Sequence, residues 1–333
     1  TVDMPLDKGF DYFWGIPASM NYGVLAWFEG RMVKVPPTLF TRKKPNQIAI
    51  DDYRIKPPYQ ANPAKPNNLE VAPDFVDIDC LDRFTEQAIK WLDRQAAAAR
   101  NGKPFMLYLS HTSPHKPVIP LNRFRGQGDA GAYGEFMIET DWHVGRVLDW
   151  LDENKLADNT IVVFTSDNGP ENTWRKRNEK FGHQSNGIYR EGKRSIYEGG
   201  HRVPFLVRWP AKVKAGSRWE QPVCQTDLLA TFAEMLGKNL PYNAGEDSVS
   251  FYRALTGENA PQRLAMIHHG MQGRYAIREG QWKLIMEGGR RAAKCELYDL
   301  SADPGEKNDL IAKHPKVAKR LAKRITEIIQ NGR

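Results

Sequence analysis

Three short runs of continuous apolar character stand out along the chain: residues 104–110 (PFMLYLS), residues 160–165 (TIVVFT) and residues 203–209 (VPFLVRW). Each is bounded by Pro, Gly, Asn or His, as expected of strands buried on both faces. Between them the period changes. Leu81, Phe84, Ala88 and Leu92 recur at three- and four-residue spacing and predict a helix over residues 79–100, stopped by Asn101 and Gly102. A second helix is predicted over 135–153, with a turn at 157–159, and a third over 226–236, closed by Gly237. Strands alternating with helices predict an α/β fold, a mostly parallel sheet sandwiched by helices.

After about Leu240 the texture changes. RYAIR and WKLIM flank Glu279 and Gly280 like a hairpin, ELYDL and the turn ADPGE follow, and Val317, Leu321, Ile325 and Ile328 give a closing helix its apolar stripe. The expectation is an α/β domain over 1–240 and a smaller domain of antiparallel sheet plus helix over 241–333. Pro57, Pro58, Pro63, Pro66 and Pro73 mark residues 55–74 as a loop.

Composition narrows the classes. With 333 residues, 41% of them hydrophobic, the chain is long enough for one large core or a large and a small domain. No apolar run approaches the roughly 18 residues of a membrane span, so none is predicted. Cys80, Cys224 and Cys295 make no CxxC pair, and their odd number leaves the disulfide state open. Lys and Arg outnumber Asp and Glu by 48 to 40, which favours an anionic partner. Nucleic acid is not expected, because the basic residues are scattered and the densest run, 313–324, reads as the solvated face of the closing helix. The chain opens on TVDMPLDK, with neither an initiator Met nor a signal-peptide profile, so a further upstream segment is expected.

In an α/β sheet, ligands bind where strands end and loops converge. The loops at these ends are HTSPHKP, SDNGPEN and GHQSNGIYREGKRSIYEGGHRVPF. Asp167 and Asn168 set a carboxylate beside an amide oxygen, hard donors that suit calcium or magnesium, though Asp-Asn-Gly is also ordinary turn chemistry. His111 and His115 can bind a metal, pass protons or cap the strand. Lys193 offers a point charge to an anion or is a solvated loop lysine.

GFDYFWGIPAS, HTSPHKP, FTSDNGP and above all GHQSNGIYREGKRSIYEGGHRVPFLVRWP resemble the formylglycine-dependent sulfatases of the alkaline phosphatase superfamily. RYAIREGQWKLI and ELYDLSADPGEKNDL are similar to the family's closing segments. The resemblance implies that Asp167 and Asn168 are calcium ligands, with Asp167 also helping to activate the nucleophile. It implies that His115 contacts the sulfate and assists the leaving oxygen, that Lys193 binds sulfate, and that His183 faces substrate. Glu198, Gly199 and Gly200 would shape the loop that presents Lys193. The implied reaction is hydrolysis of a sulfate ester, of a sulfated carbohydrate or aryl sulfate, by attack of a formylglycine hydrate on sulfur. A periplasmic or secreted location is implied as well.

The family forms its aldehyde from the Cys or Ser that opens a C-x-P-S-R type motif, and no such motif occurs in these 333 residues. Cys80 precedes Leu-Asp-Arg in a predicted helix and is no substitute. Formylglycine, and the maturation enzyme that generates it, are therefore expected to involve a segment upstream of Thr1, and the chain as it stands is expected to be inactive. Two alternatives remain at this stage: a phosphodiesterase or phosphonate hydrolase of the same superfamily, and a non-catalytic binder of sulfated glycans.

Overall fold

A computed structural model describes residues 3–42, 68–286 and 295–331. Most of the proline-rich stretch predicted as a loop, including Pro57, Pro58, Pro63 and Pro66, lies outside the described residues. The chain divides into two compact units, residues 1–157 with 175–183, and residues 158–174 with 184–333.

In the first unit an antiparallel meander of two-residue strands (Trp14–Gly15, Phe28–Glu29, Met32–Val33) precedes the antiparallel pair Leu39–Arg42 and Asn68–Val71. Two long helices follow, Cys80–Arg100 and Gly131–Glu153. The predicted stripe holds: Leu81, Phe84, Ala88 and Leu92 are all buried. The core is aromatic. Trp14 stacks on Trp27 at 4.5 Å, and Phe84 presents its edge to both rings. Such pairs add roughly 1 kcal/mol each beyond the area they bury.

Residues 103–112 depart from expectation. They form no ladder among the described residues, so the strand predicted at 104–110 is not observed as one. The segment is also one-sided rather than buried on both faces. Phe105, Leu107 and Leu109 turn partly inward, while Met106 and Tyr108 stand 62% and 73% exposed.

In the second unit Val162–Thr165 pairs with Phe205–Arg208, Val163 opposite Val207 and Phe164 opposite Leu206. This pairing is antiparallel, as are all named ladders among the described residues; parallel register is confined to the bridge between Leu25 and Val71 of the first unit. Helix Asp227–Met235 follows, ended by Gly237 at φ +61°.

Four antiparallel strands then form a sheet in the order Glu296–Asp299, Trp282–Met286, Tyr275–Glu279, Met266–His269. Gly280, at φ +58°, lets the two-residue loop close tightly between Glu279 and Trp282. Helix Pro315–Asn331 lays Leu321 and Ile325 against Ile277, Leu284 and Leu297, with Val317 and Ile328 packed beside them. Burying Leu321 and Ile325 contributes roughly 2 kcal/mol each, which an amphipathic helix of this composition needs in order to stay docked.

Candidate active site

The sequence-predicted residues fall in both units, and each group is described within its own. In the first unit, loop HTSPHKP is pinned at several points. His111 places Nε2 3.3 Å from Thr85 Oγ1 on one helix and its ring 6.0 Å from that of His143 on the other. Burial, helped by the His143 charge, pulls its pKa down to about 4, so His111 is a neutral anchor at ordinary pH. Thr140 Oγ1 donates to Phe136 O at 2.7 Å and accepts from Ser113 Oγ at 2.6 Å, and Asn21 Nδ2 donates to Lys116 O at 3.0 Å.

His115 sits within this framework. Its N–H donates to Thr112 O at 3.1 Å, and its Nδ1–H donates to Lys116 O at 2.7 Å. A carbonyl can only accept, so the bond fixes the tautomer: Nδ1 carries hydrogen, and Nε2 carries the lone pair or the acidic proton. His183 follows helix Trp174–Phe181 and is exposed. Its ring lies 5.8 Å from that of Tyr133, over which the Arg177 guanidinium also sits at 3.8 Å. Partial burial and the nearby Arg177 charge lower its pKa.

In the second unit the loop that carries Lys193 meets the turn that follows Asp167 and Asn168 through backbone contacts. The strand Val162–Thr165 delivers Asp167 and Asn168 at its end, and Lys193 N–H donates to Pro170 O at 2.8 Å. Gly169 N–H donates to Gly200 O at 3.0 Å, and Gly199 N–H to Arg190 O at 2.9 Å. These loops touch main chain to main chain. A Cβ on Gly169 would stand 1.8 Å from Gly199 O, one on Gly192 2.4 Å from Pro170 O, and one on Gly199 2.3 Å from Glu191 O. None of these glycines has positive φ, so close approach rather than backbone conformation selects them.

Asn168 Nδ2 donates to Gly169 O at 3.0 Å, which directs Oδ1 away from that carbonyl. Asp167 is exposed. The pair offers two hard-oxygen donors of the kind calcium takes; among the described residues no three His, Cys, Asp or Glu side chains gather into a metal site. None of the three cysteines fits a formylglycine precursor. Cys80 is buried in the first helix with Sγ 3.4 Å from Met20 Sδ, and none of the three is joined in a disulfide.

The chemistry around Glu198 exceeds the architectural turn expected there. Glu198 opens the short helix Glu198–His201 and is 1% exposed. Its Oε1 lies 3.0 Å from Lys283 Nζ and 3.2 Å from His201 Nε2, and its Oε2 3.5 Å from Arg202. Lys283 Nζ lies 2.8 Å from Glu306, which accepts the Glu198 N–H at 2.6 Å. Burial pushes the Glu198 carboxyl up, but the His201 hydrogen bond and the Lys283 charge outweigh it and hold the group well below the usual range. Burial raises Glu306. Lys283 and Glu306 were not singled out from sequence, although period two in WKLIM places Lys283 on the face of Ile285.

Residues 39–238 match the sulfatase family. The chain belongs to that family. Residues 187–331 also match the C-terminal part of N-sulphoglucosamine sulphohydrolase. Over 268 residues the chain is 35% identical to N-acetylgalactosamine-6-O-sulfatase of Bacteroides thetaiotaomicron, covering 76% of this chain and 51% of that protein. It is 30% identical to human arylsulfatase A over 332 residues, covering 92% and 61%. A solved Bacteroides thetaiotaomicron structure connected with the metabolism of multiple glycosaminoglycans superposes with a TM-score of 0.81 at 29% identity, covering 98% of this chain and 74% of that one. The chain thus spans about half the length of the first of these curated relatives. The fold is the alkaline phosphatase-like α/β fold of sulfatases with a smaller C-terminal domain. No helix among the described residues is long and apolar enough to cross a membrane.

Proposed function

We infer that this chain is the larger part of a hydrolase of sulfate esters, with a sulfated glycan as substrate. The observation that carries this beyond family membership is the backbone splice that sets Lys193 beside the Asp167 and Asn168 turn. That contact joins the backbone of the loop bearing a cation suited to sulfate oxygens to the turn bearing two oxygen donors suited to a divalent metal. Similarity to an N-acetylgalactosamine-6-O-sulfatase supports the choice of a sulfated sugar. We place the boundary between the catalytic part and the closing domain near residue 240, close to where the sulfatase match ends at 238.

Lys193 supplies its ammonium to the non-bridging sulfate oxygens, where negative charge concentrates. His115 holds a proton at Nε2 for the departing alcohol oxygen, its orientation set by the Nδ1–H bond to Lys116. His183, exposed beside Tyr133, contacts the sugar. Asp167 and Asn168 would hold calcium, which when bound would neutralise charge on the sulfate. The nucleophile is a formylglycine supplied from outside these 333 residues, produced by a maturation enzyme, and the 333 residues alone do not turn over substrate. The location is periplasmic or secreted, as for the family it resembles.

Peptide mapping by mass spectrometry of the protein from its native host tests the nucleophile: sequence upstream of Thr1 carrying a Cys or Ser converted to the aldehyde is expected. A native N-terminus at Thr1 would exclude this mechanism and leave glycan binding without turnover. In the full-length protein, Lys193→Ala and His115→Ala are each expected to lower kcat/KM for sulfate-ester hydrolysis by roughly a hundredfold or more. Unchanged turnover in either variant removes that residue from the site.

A further inference from the structure

We propose that Lys283 and Glu306 are positioning residues for the loop that carries Lys193; the role rests on the assignment of Lys193 to the sulfate. Both belong to the closing part of the chain, Lys283 to the strand Trp282–Met286 and Glu306 to the turn before the last helix. Both are 0% exposed. The Lys283 ammonium bridges the carboxylates of Glu198 and Glu306, at 3.0 and 2.8 Å. Glu306 also accepts the backbone N–H of Glu198 at 2.6 Å. Side chain and main chain of one residue are therefore held by the same pair.

From Glu198 the coupling runs through backbone alone. Gly199 N–H bonds Arg190 O, Gly200 O receives the Gly169 N–H, and Lys193 N–H bonds Pro170 O. Because Gly169, Gly192, Gly199 and Gly200 leave no room even for a methyl group against neighbouring carbonyls, a tilt at Glu198 has no soft side chain to absorb it. It must move Lys193 relative to Asp167 and Asn168. A second network grips both ends of the same loop: Arg190 donates to Tyr298 Oη at 3.2 Å and to Glu306 O at 2.9 Å, and Tyr197 donates to Glu296 at 2.7 Å.

Stability is a weak reason for such a triad. Burying three ionisable groups costs desolvation that an apolar cluster of equal volume avoids, so what the triad supplies is geometry. The catalytic loop is held to its register by charges about 85 and 108 residues further along the chain.

The test uses the full-length enzyme and three variants, Lys283→Met, Glu306→Ala and Glu306→Gln. Gln retains an acceptor for the Glu198 N–H, so Glu306→Gln is expected within about threefold of the parent kcat/KM, whereas Lys283→Met and Glu306→Ala fall by roughly ten- to a hundredfold. Affinity for inorganic sulfate, measured by calorimetry, should fall in parallel while thermal unfolding stays cooperative. Folded Lys283→Met or Glu306→Ala protein with parental turnover and sulfate affinity overturns the proposal, as does Glu306→Gln behaving like Glu306→Ala. If the truncated variants do not fold, Glu306→Asp withdraws the carboxylate by one methylene, and parental activity there is the overturning result. Lys193→Ala is run alongside: unchanged turnover in that variant removes the Lys193 assignment itself, a failure distinct from that of the positioning role.

Discussion

Gly169 donates its N–H to the carbonyl of Gly200 at 3.0 Å, and the carbonyl of neighbouring Gly199 occupies the space a Cβ on Gly169 would need, only 1.8 Å from it. No rotamer change relieves that clash, since backbone meets backbone. Gly169→Ala must separate the two loops. It is expected to destabilise the protein by about 3 kcal/mol and lower Tm by on the order of 5–10 °C. Gly145 has nothing within 4 Å of a built Cβ, so Gly145→Ala is the matched control and should leave Tm within about 2 °C of the parent or raise it. Equal melting of the two variants would show that the loops can part without cost.

Asp167 is the one anionic oxygen donor in the Asp167–Asn168 pair. Asp167→Asn keeps the shape and removes the charge, so calcium affinity is expected to fall by roughly tenfold or more. Calorimetric titration of the full-length protein, or the calcium-induced rise in Tm, measures this. Identical calcium responses in parent and variant would take the metal away from Asp167 and leave the turn a purely structural one.

The elements that were legible in the sequence are those with a strong period and a definite stop. Leu81, Phe84, Ala88 and Leu92 repeat every third or fourth residue ahead of Asn101 and Gly102, and the observed helix Cys80–Arg100 follows them. The closing hairpin was legible because Gly280 marks its turn. Strand partners and directions were not, because an apolar run carries no record of what lies beside it: residues 104–110 read as buried on both faces, yet Met106 and Tyr108 face outward without a ladder.

The same limit applies at the candidate site. Asp167, Asn168 and Lys193 could be named from local motifs, but the triad beneath them joins residues from three separated segments. Glu198 reads only as part of a loop-shaping turn, nothing local links Lys283 or Glu306 to it, and tertiary structure alone shows the three buried together.

Cys80 opens the first helix with its Sγ against Met20 Sδ, and burial pushes its thiol well above the ordinary range. The thiolate is the reactive form, so native protein should modify slowly at Cys80 and promptly once unfolded. Cys224 and Cys295 are only half-buried and are expected to react first. Timed alkylation followed by peptide mass spectrometry orders the three. Early labelling of Cys80 in folded protein would contradict its burial.

His111 makes the pH dependence of folding predictable in sign. Its native pKa, about 4, lies below the usual 6.5 because burial and the His143 charge disfavour the imidazolium. Between those values the unfolded chain binds a proton that the native chain refuses, so stability rises with pH across the window. The contribution is fully present above about pH 6.5 and is lost progressively as pH falls towards 4, up to about 3 kcal/mol. His183, His201 and His268 are also depressed by burial and add slope of the same sign. His111→Gln keeps a polar partner for Thr85 and cannot titrate. Its Tm is therefore expected to fall less steeply than the parent's from pH 6.5 to 4.5, and superimposable profiles would mean that His111 is as easily protonated in the fold as in water.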